Sequence, residues 1–182
     1  NVGTGLAAVL SGAGHDAVAF GRDDDLARAV SNAEIVIFAT PYNAAADVAG
    51  KADFDGKLVI DVSNPVKEDF SGLQVGLDTS AAEQIADLLP GASVVKAFNT
   101  IFAQHYASGL SINGTPLQTY VAADDEVARA RVKKLAGDMG LVAIDAGPLA
   151  NARYLEPMGF MNIQFGYVLG QGVEIAPQWL VA

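Results

Sequence analysis

The stretch Val94-Val95-Lys96-Ala97-Phe98-Asn99-Thr100-Ile101 decides the fold. It is a short apolar strand that stops on a polar Asn-Thr pair, and its end is predicted to turn into a helix. In an open α/β sheet, ligands bind outside the carboxyl ends of the strands. We therefore expect Asn99 and Thr100 to face a binding cleft.

Two earlier strands are predicted to end in the same way. Residues 35–39 are apolar and run into Thr40-Pro41, and residues 58–62, apolar except for Asp61, run into Ser63-Asn64-Pro65. The second run shows too little alternation for a strand with one face in water, so we predict that it is buried. An Asn-Pro pair by itself favours a turn. Its place after a buried strand, beside two others that end alike, favours a binding role.

The rest of the chain alternates between strand and helix patterns. Further strands are predicted at Ala17–Gly21, Leu117–Ala122 and Leu141–Ile144. Helices are predicted from residue 2, 24, 43, 80, 101 and 124, and again beyond Pro157. This alternation is typical of α/β proteins. We predict a Rossmann-like doubly wound, mostly parallel sheet with helices on both faces, forming one domain over residues 1–182.

Composition excludes several classes of function. The chain has 182 residues, 51% of them hydrophobic, and a net charge of −10 with no basic patch, which argues against a nucleic-acid partner. It has no cysteine, so disulfides and thiolate metal sites are excluded. No apolar run approaches the roughly 20 residues that span a bilayer. We expect a cytoplasmic protein without a membrane partner and without a metal site.

Three motifs together resemble a known family. They are Asp61-Val62-Ser63-Asn64-Pro65, Lys96-Ala97-Phe98-Asn99-Thr100-Ile101, and the late run from Asp145 to Glu156. Their combination resembles the NADPH-dependent deazaflavin (coenzyme F-420) reductases, a family related to the oxidoreductase domain of the STEAP metalloreductases. The resemblance covers nearly the whole chain. It implies that the protein binds NADP(H) and that coenzyme F-420, a flavin or another small molecule accepts the hydride.

The resemblance also implies a cofactor site at the start of the chain. Asn1, Val2 and Gly3 match the last three positions of a glycine-rich fingerprint that lets the backbone approach a pyrophosphate at a helix N-terminus. In the family a strand and two more glycines come first, so we expect residues before Asn1 in the natural protein. Arg22 matches a phosphate-binding arginine, although Gly21 replaces the serine that usually precedes it. The alternative is a solvated arginine paired with carboxylates of residues 23–25.

The remaining implied site residues lie at the strand ends and in the late run. The cofactor cleft is expected to contain Ala39, Thr40, Pro41, Asn64, Pro65, Ala97, Phe98 and Asn99. The substrate side is expected to contain Asn99, Thr100, Gly147, Pro148, Leu149 and Arg153. Arg153 offers a planar fork either for an anionic acceptor or for a structural carboxylate such as Glu156. We place the acceptor pocket between Asn99-Thr100 and residues 147–156.

No catalytic acid or base is predicted, because hydride transfer requires mainly that two flat rings are held face to face. His105 is left out because a lone helix histidine is more often a surface or core residue, and Lys96 because the sequence does not determine where its side chain points. Gly159 and Phe160 depart from the family pattern near the deazaflavin, which weakens the case for that acceptor.

Two other functions are alternatives to a reductase. A β-hydroxyacid dehydrogenase needs a lysine followed four residues later by asparagine, and none of the chain's lysines has that spacing. A non-catalytic NADP-binding sensor or regulatory protein stays open. Beyond Pro157, the apolar residues Met158, Met161, Phe165, Val168 and Leu169 form a helical stripe that we interpret as core, with homodimer contact as an additional use.

Overall fold

A computed structural model describes residues 1–180 of the chain. Its strands are β1 (Ile35–Phe38), β2 (Leu58–Asp61), β3 (Ser93–Lys96), β4 (Ser111–Ile112), β5 (Thr115–Pro116), β6 (Gln118–Val121) and β7 (Val142–Asp145). Its α-helices are α1 (Val2–Gly12), α2 (Leu26–Asn32), α3 (Ala45–Ala49), α4 (Ala81–Leu88), α5 (His105–Ser108), α6 (Glu126–Asp138) and α7 (Ala152–Ile163). Short 3-10 turns cover Tyr42–Ala44 and Leu149–Asn151, and a π-helical turn, Gln164–Val168, extends α7.

The central sheet is parallel and covered on both faces. It has the order β1-β2-β3, and its middle strand is completely buried. One face packs against apolar side chains of α1 and α6, such as Leu6 and Val132. The other face packs against α2, α3 and α4, with Val30 and Ile85 in its cluster. This arrangement confirms the predicted Rossmann-like fold.

The late strands β6 and β7 continue the sheet in the opposite direction. Lys96 at the end of β3 and Ala122 exchange two backbone hydrogen bonds, of 2.9 and 3.0 Å, as an antiparallel bridge. β7 then pairs with β6 in parallel. The hydroxyl of Ser93 at the start of β3 donates to Asp125 just after β6, at 2.8 Å. The carboxyl ends of β6 and β7 therefore lie at the same end of the sheet as the amino ends of β1, β2 and β3.

The predicted strand Ala17–Gly21 is not formed. These residues are without regular secondary structure, and Val18 and Phe20 are 66% and 52% exposed. A strand needs a neighbour that accepts and donates its backbone hydrogen bonds. Within residues 1–180, no strand pairs with this segment or with the outer edge of β1. The expectation of residues before Asn1 stays a prediction.

Two helix boundaries predicted from sequence were also wrong, and one hairpin was not predicted. The last helix begins at Ala152 and contains Pro157, instead of starting beyond it. Proline removes one backbone hydrogen bond, to the carbonyl of Arg153, and the helix persists because its buried face anchors both sides of the break. The helix expected from Ile101 begins only at His105, and the hairpin β4–β5 was not foreseen.

The apolar stripe after Pro157 lies largely on the outside. Met161, Phe165, Val168 and Leu169 are all exposed, so the interpretation of the stripe as core was wrong for these residues. A homodimer through this face stays a prediction. Among residues 1–180, no helix has the length and apolar character needed to cross a membrane.

Candidate functional site

Two asparagines form the centre of the site at the carboxyl ends of β2 and β3. The Asn64 amide nitrogen donates to the Asn99 backbone carbonyl at 2.7 Å. The Asn99 amide nitrogen donates to the Asn64 side-chain oxygen and to the Leu155 carbonyl, each at 2.9 Å. Both loops and α7 are thereby joined through one pair of amides. The structure brings together Asn64 and Asn99 as the sequence predicted.

The backbone turns sharply just before Asn99. Phe98 has a φ of +61°, in the left-handed region that side chains other than glycine rarely adopt. Its backbone N–H leaves the sheet and donates to the Thr119 hydroxyl at 2.9 Å. Its ring is buried, which holds the turn in place. Such backbone conformations persist only where the surrounding structure enforces them, and they are concentrated at functional sites.

Three buried polar atoms near this turn have no hydrogen-bond partner within the described residues. They are the hydroxyl oxygens of Ser63 and Thr100 and the side-chain oxygen of Asn99. A buried polar atom left unpaired costs about 1 to 3 kcal/mol. Such a cost is offset when a ligand supplies the missing partners. The amide oxygen can only accept, whereas the hydroxyls can donate or accept, so the group is suited to a ligand that carries both donors and acceptors.

The amino end of α1 lies beside the carboxyl end of β1. The Asn1 side chain caps α1 by accepting from the Thr4 backbone N–H at 3.0 Å. A Cβ atom on Gly3 would lie 3.2 Å from the Ala39 Cβ, a tight contact, so glycine favours this close approach of the helix to the strand end. The free N–H groups and the dipole of a helix N-terminus favour an anion. Val2 packs against the core below.

The other predicted cofactor residues frame the same edge. Thr40 is partly buried and Pro41 is exposed, directly after β1. Pro65 and Ala97 are buried, and the Ala97 N–H donates to the Asp61 carbonyl at 3.2 Å. The backbone of these residues lies at the carboxyl ends of the three parallel strands.

Arg22 lies in an exposed turn and forms no ion pair with another described residue. Its neighbouring carboxylates are used elsewhere. Asp24 accepts from the Gly21 N–H at 2.6 Å, and Asp25 caps α2 by accepting from the Arg28 N–H at 3.0 Å. The alternative of an arginine paired with these carboxylates is therefore not observed. Its phosphate-binding role, and that of Gly21, stay predictions.

Arg153 is held by a carboxylate of α4. Its guanidinium makes a bidentate contact with Glu83, with distances of 2.9 Å from Nε and 2.6 Å from Nη2. The contact holds the pKa of Glu83 below its usual value. The expected partners were an anionic acceptor or Glu156, so the structural interpretation was right in kind but wrong in partner.

The predicted placement of residues 147–149 on the substrate side was wrong. Gly147, Pro148 and Leu149 lie at the end of the sheet opposite to Asn99. The Gly147 carbonyl accepts from the Ala123 N–H at 3.0 Å, and the Leu149 N–H donates to Asp124 at 3.0 Å. Because β6 runs antiparallel to β3, the end of β7 emerges beside the start of β3. Only α7 returns across the sheet to reach Asn99.

Sequence reasoning missed a cluster of three buried charged side chains, which we call the buried triad: Asp61, Lys96 and Glu156. The Lys96 ammonium lies 2.7 Å from Asp61 Oδ2 and 2.9 Å from Glu156 Oε1. All three side chains are at most 2% exposed. The signal in the sequence was a lysine inside an apolar strand with an aspartate at the matching position of the preceding strand. The register indeed pairs Asp61 with Lys96.

Comparison with known proteins supports the family indicated by the motifs. The sequence pattern of the family described as NADP oxidoreductase, coenzyme F420-dependent, matches residues 23–65. The metalloreductase STEAP3 of Rattus norvegicus is 33% identical over 131 residues, which are 70% of this chain and 25% of that protein. The metalloreductase STEAP2 of Homo sapiens is 34% identical over 101 residues, 56% of this chain and 19% of that protein. The chain thus spans a quarter or less of these relatives.

Solved structures agree with this assignment. A crystal structure from Arthrobacter sp. FB24, named by inference as an F420-dependent NADP-reductase, has a TM-score of 0.71 and 27% identity and covers 80% of this chain and 68% of that chain. A hypothetical protein from Sinorhizobium meliloti has a TM-score of 0.63 and 31% identity over 70% of this chain and 62% of that chain. An imine reductase from Pseudomonas sp. is 14% identical and shares the fold alone. The motifs, the fold and these relatives together show that the chain is similar to the coenzyme F420-dependent NADP oxidoreductases, whose sequence pattern it matches over residues 23–65.

Proposed function

We propose that this protein binds NADP(H) at the carboxyl ends of β1, β2 and β3 and passes hydride between that cofactor and a flat small-molecule acceptor. The observation that carries the proposal is the group of buried, unpaired polar atoms on Ser63, Asn99 and Thr100. The similarity to this family supports the cofactor, and the acceptor follows from the need for a ring that can stack on the nicotinamide.

The residues of this edge fit NADP(H). The amino end of α1 offers backbone N–H groups for the pyrophosphate, with Gly3 close to Ala39. Arg22, which is exposed and without an ion pair in residues 1–180, offers a charged donor for the 2′-phosphate. The unpaired Asn99 oxygen is an acceptor for the amide of a nicotinamide. When bound, the nicotinamide supplies or takes up the hydride.

The asparagine pair orients and does not exchange protons. An amide side chain neither gains nor loses a proton near neutral pH, and those of Asn64 and Asn99 are already tied to each other. Their contribution is to hold one face of the ring in place. Positioning of this kind can supply several kcal/mol of the barrier reduction.

A screen of acceptors tests the proposal. The protein is mixed with NADPH and in turn with coenzyme F-420, FMN, FAD or a ferric chelate, and loss of the reduced-nicotinamide absorbance is followed. We include the chelate because the STEAP relatives are named metalloreductases. We expect turnover with at least one flat acceptor. Tight NADPH binding without any turnover would instead support the non-catalytic sensor.

The variant Asn99→Leu links turnover to the site. It removes the hydrogen bonds to Asn64 and Leu155 while keeping a similar volume. We expect turnover to fall by roughly tenfold or more through misplacement of the ring, with the shape of the pH profile unchanged. Full activity of this variant with the same acceptor would refute the placement of the nicotinamide at Asn99.

A further inference from the structure

The buried triad uses every donor of Lys96. Its ammonium donates to Asp61, to Glu156 and to the backbone carbonyl of Ser63. A lysine ammonium has three N–H donors, so none is left over. Lys96 itself is completely buried. This side chain therefore joins β3 to β2, to the loop after β2 and to α7.

Each oxygen of the two carboxylates in the triad also has a hydrogen-bond partner. Glu156 accepts from the backbone N–H groups of Ala81 and Ala82, at 3.0 and 3.2 Å, in the first turn of α4. Asp61 Oδ1 accepts from the Ser63 N–H at 2.9 Å. Burial raises the pKa of Glu156, whereas Lys96 and the Ala81 N–H oppose that rise. Burying charges costs several kcal/mol per ion unless they are paired and hydrogen-bonded, which is the case here.

Each member of the triad lies close in the chain to a group that holds the asparagine pair. Asp61 and the Ser63 carbonyl precede Asn64, and Lys96 precedes Asn99 by three residues. Glu156 directly follows Leu155, whose carbonyl accepts from the Asn99 amide. The triad thus sets the spacing of the three segments that carry the amide pair.

We propose that Lys96, held between Asp61 and Glu156, is a positioning residue that fixes the Asn64–Asn99 pair and thereby the ring that stacks on it. The proposal rests on the proposed function only for the identity of that ring. It goes beyond that function because the side chains of the triad form no hydrogen bond with the unpaired atoms of Ser63, Asn99 and Thr100. The triad is therefore not part of the surface that would contact the ring. Lys96 acts through its neighbours and does not touch the reacting atoms.

The test compares the neutralisation of two glutamates, one at each of the two contacts between α4 and α7. Glu156→Gln removes one charge of the triad, and its NH2 group faces the N–H donor of either Ala81 or Ala82. Glu83→Gln removes one charge from the pair with Arg153 and leaves the triad intact. Glu156→Asp keeps the charge but shortens the side chain, and it serves if the glutamine variant does not fold.

The first readout is independent of activity. We expect the side-chain amide NMR signals of Asn64 and Asn99 to shift in Glu156→Gln, or in Glu156→Asp, and to stay in place in Glu83→Gln. The second readout is the rate of NADPH oxidation. We expect kcat to fall by roughly ten- to a hundredfold in the Glu156 variants with the KM for NADPH nearly unchanged, since misplacement of about 1 Å has costs of this size.

The two proposals fail differently. If no acceptor supports turnover in the unmodified protein, the proposed function fails, and the amide signals still decide the role of the triad. A folded Glu156 variant that melts at a lower temperature but keeps both amide signals would overturn the positioning role, because the triad would then only stabilise the fold.

Discussion

At the scale of single residues, the site depends on one glycine of α7. A Cβ atom on Gly159 would lie 2.6 Å from the Asn64 side-chain oxygen and 2.9 Å from its nitrogen. The Asn64 amide cannot move away without losing its bonds to Asn99. Glycine is otherwise unfavourable inside a helix. Its presence here is explained by the close approach of α7 to the asparagine pair.

Replacing Gly159 with alanine should therefore destabilise the protein and disturb the site. We expect the free energy of unfolding to fall by about 1 to 2 kcal/mol, because overpacking outweighs the gain in helix propensity. Urea denaturation measures this change. The matched control is Gly137→Ala in α6, where a Cβ atom would meet nothing within 4 Å. That variant should be more stable by up to about 1 kcal/mol. Equal effects of the two substitutions would contradict the close-approach argument.

Arg22 carries the predicted preference for NADPH over NADH. It is exposed, and no acidic residue ends the segment before it. Arg22→Ala should weaken NADPH binding by roughly tenfold and leave NADH binding nearly unchanged, because a charge-assisted phosphate contact is lost. Calorimetric titration with both cofactors measures this. Arg131→Ala removes an equal charge from α6, where Arg131 pairs with Glu34, and should change neither affinity. Equal affinity of the unmodified protein for NADPH and NADH would refute the prediction.

At the scale of elements, α4 and α7 are joined at two places. Glu156 of α7 caps the first turn of α4, and Glu83 of α4 accepts hydrogen bonds from Nε and Nη2 of Arg153 in α7. The first contact is buried and belongs to the triad. The second is partly open to solvent, so we expect it to respond to pH and salt more readily.

The contact between Glu83 and Arg153 should add stability that disappears in acid. The hydrogen bond from Arg153 lowers the pKa of Glu83 below its ordinary value of 4.5. A lowered folded-state pKa contributes stability that is complete above 4.5 and is lost as the pH falls through the folded value. The difference in melting temperature between the unmodified protein and Glu83→Gln should therefore be constant near neutral pH and shrink below 4.5.

Thermal melts across this pH range test the prediction. Glu68→Gln is the control, because Glu68 is exposed and forms no ion pair with any other described residue. Its difference from the unmodified protein should not follow the same course. A difference for Glu83→Gln that stays constant into acid would show that the Arg153 contact does not depend on the charge of Glu83.

At the scale of the whole molecule, the direction of β6 decides which segments meet. The antiparallel bridge between Lys96 and Ala122 sends the ends of β6 and β7 to the edge opposite Asn99. Had β6 run parallel to β3, Gly147 would lie at the end of the sheet that carries Asn99, where the sequence analysis placed it. Instead α7 crosses the sheet, and its residues Leu155, Gly159 and Asn162 reach the site. Asn162 donates to the Thr100 carbonyl at 3.2 Å.

The sequence by itself determined the parts of this protein that depend on local pattern. Apolar runs that end on polar residues predicted β1, β2 and β3 within about a residue or two, and the motifs predicted the family and the meeting of Asn64 with Asn99. The helix predicted from residue 80 is α4, and the Ser80 hydroxyl caps it by accepting from the Glu83 N–H at 3.1 Å. These features follow from neighbouring residues and from the shared edge of parallel strands.

Only the tertiary structure decided the rest, because it depends on partners that are far apart in the chain. The failure of Ala17–Gly21 to form a strand follows from the lack of a neighbouring strand in residues 1–180. Arg153 pairs with Glu83, 70 residues earlier in the chain, and Lys96 pairs with Glu156, 60 residues later. No local sequence pattern predicts these partners. The direction of β6 moved Gly147 away from the site. A buried lysine in an apolar strand signals that some partner exists, and only the packing of α7 on the sheet identifies it.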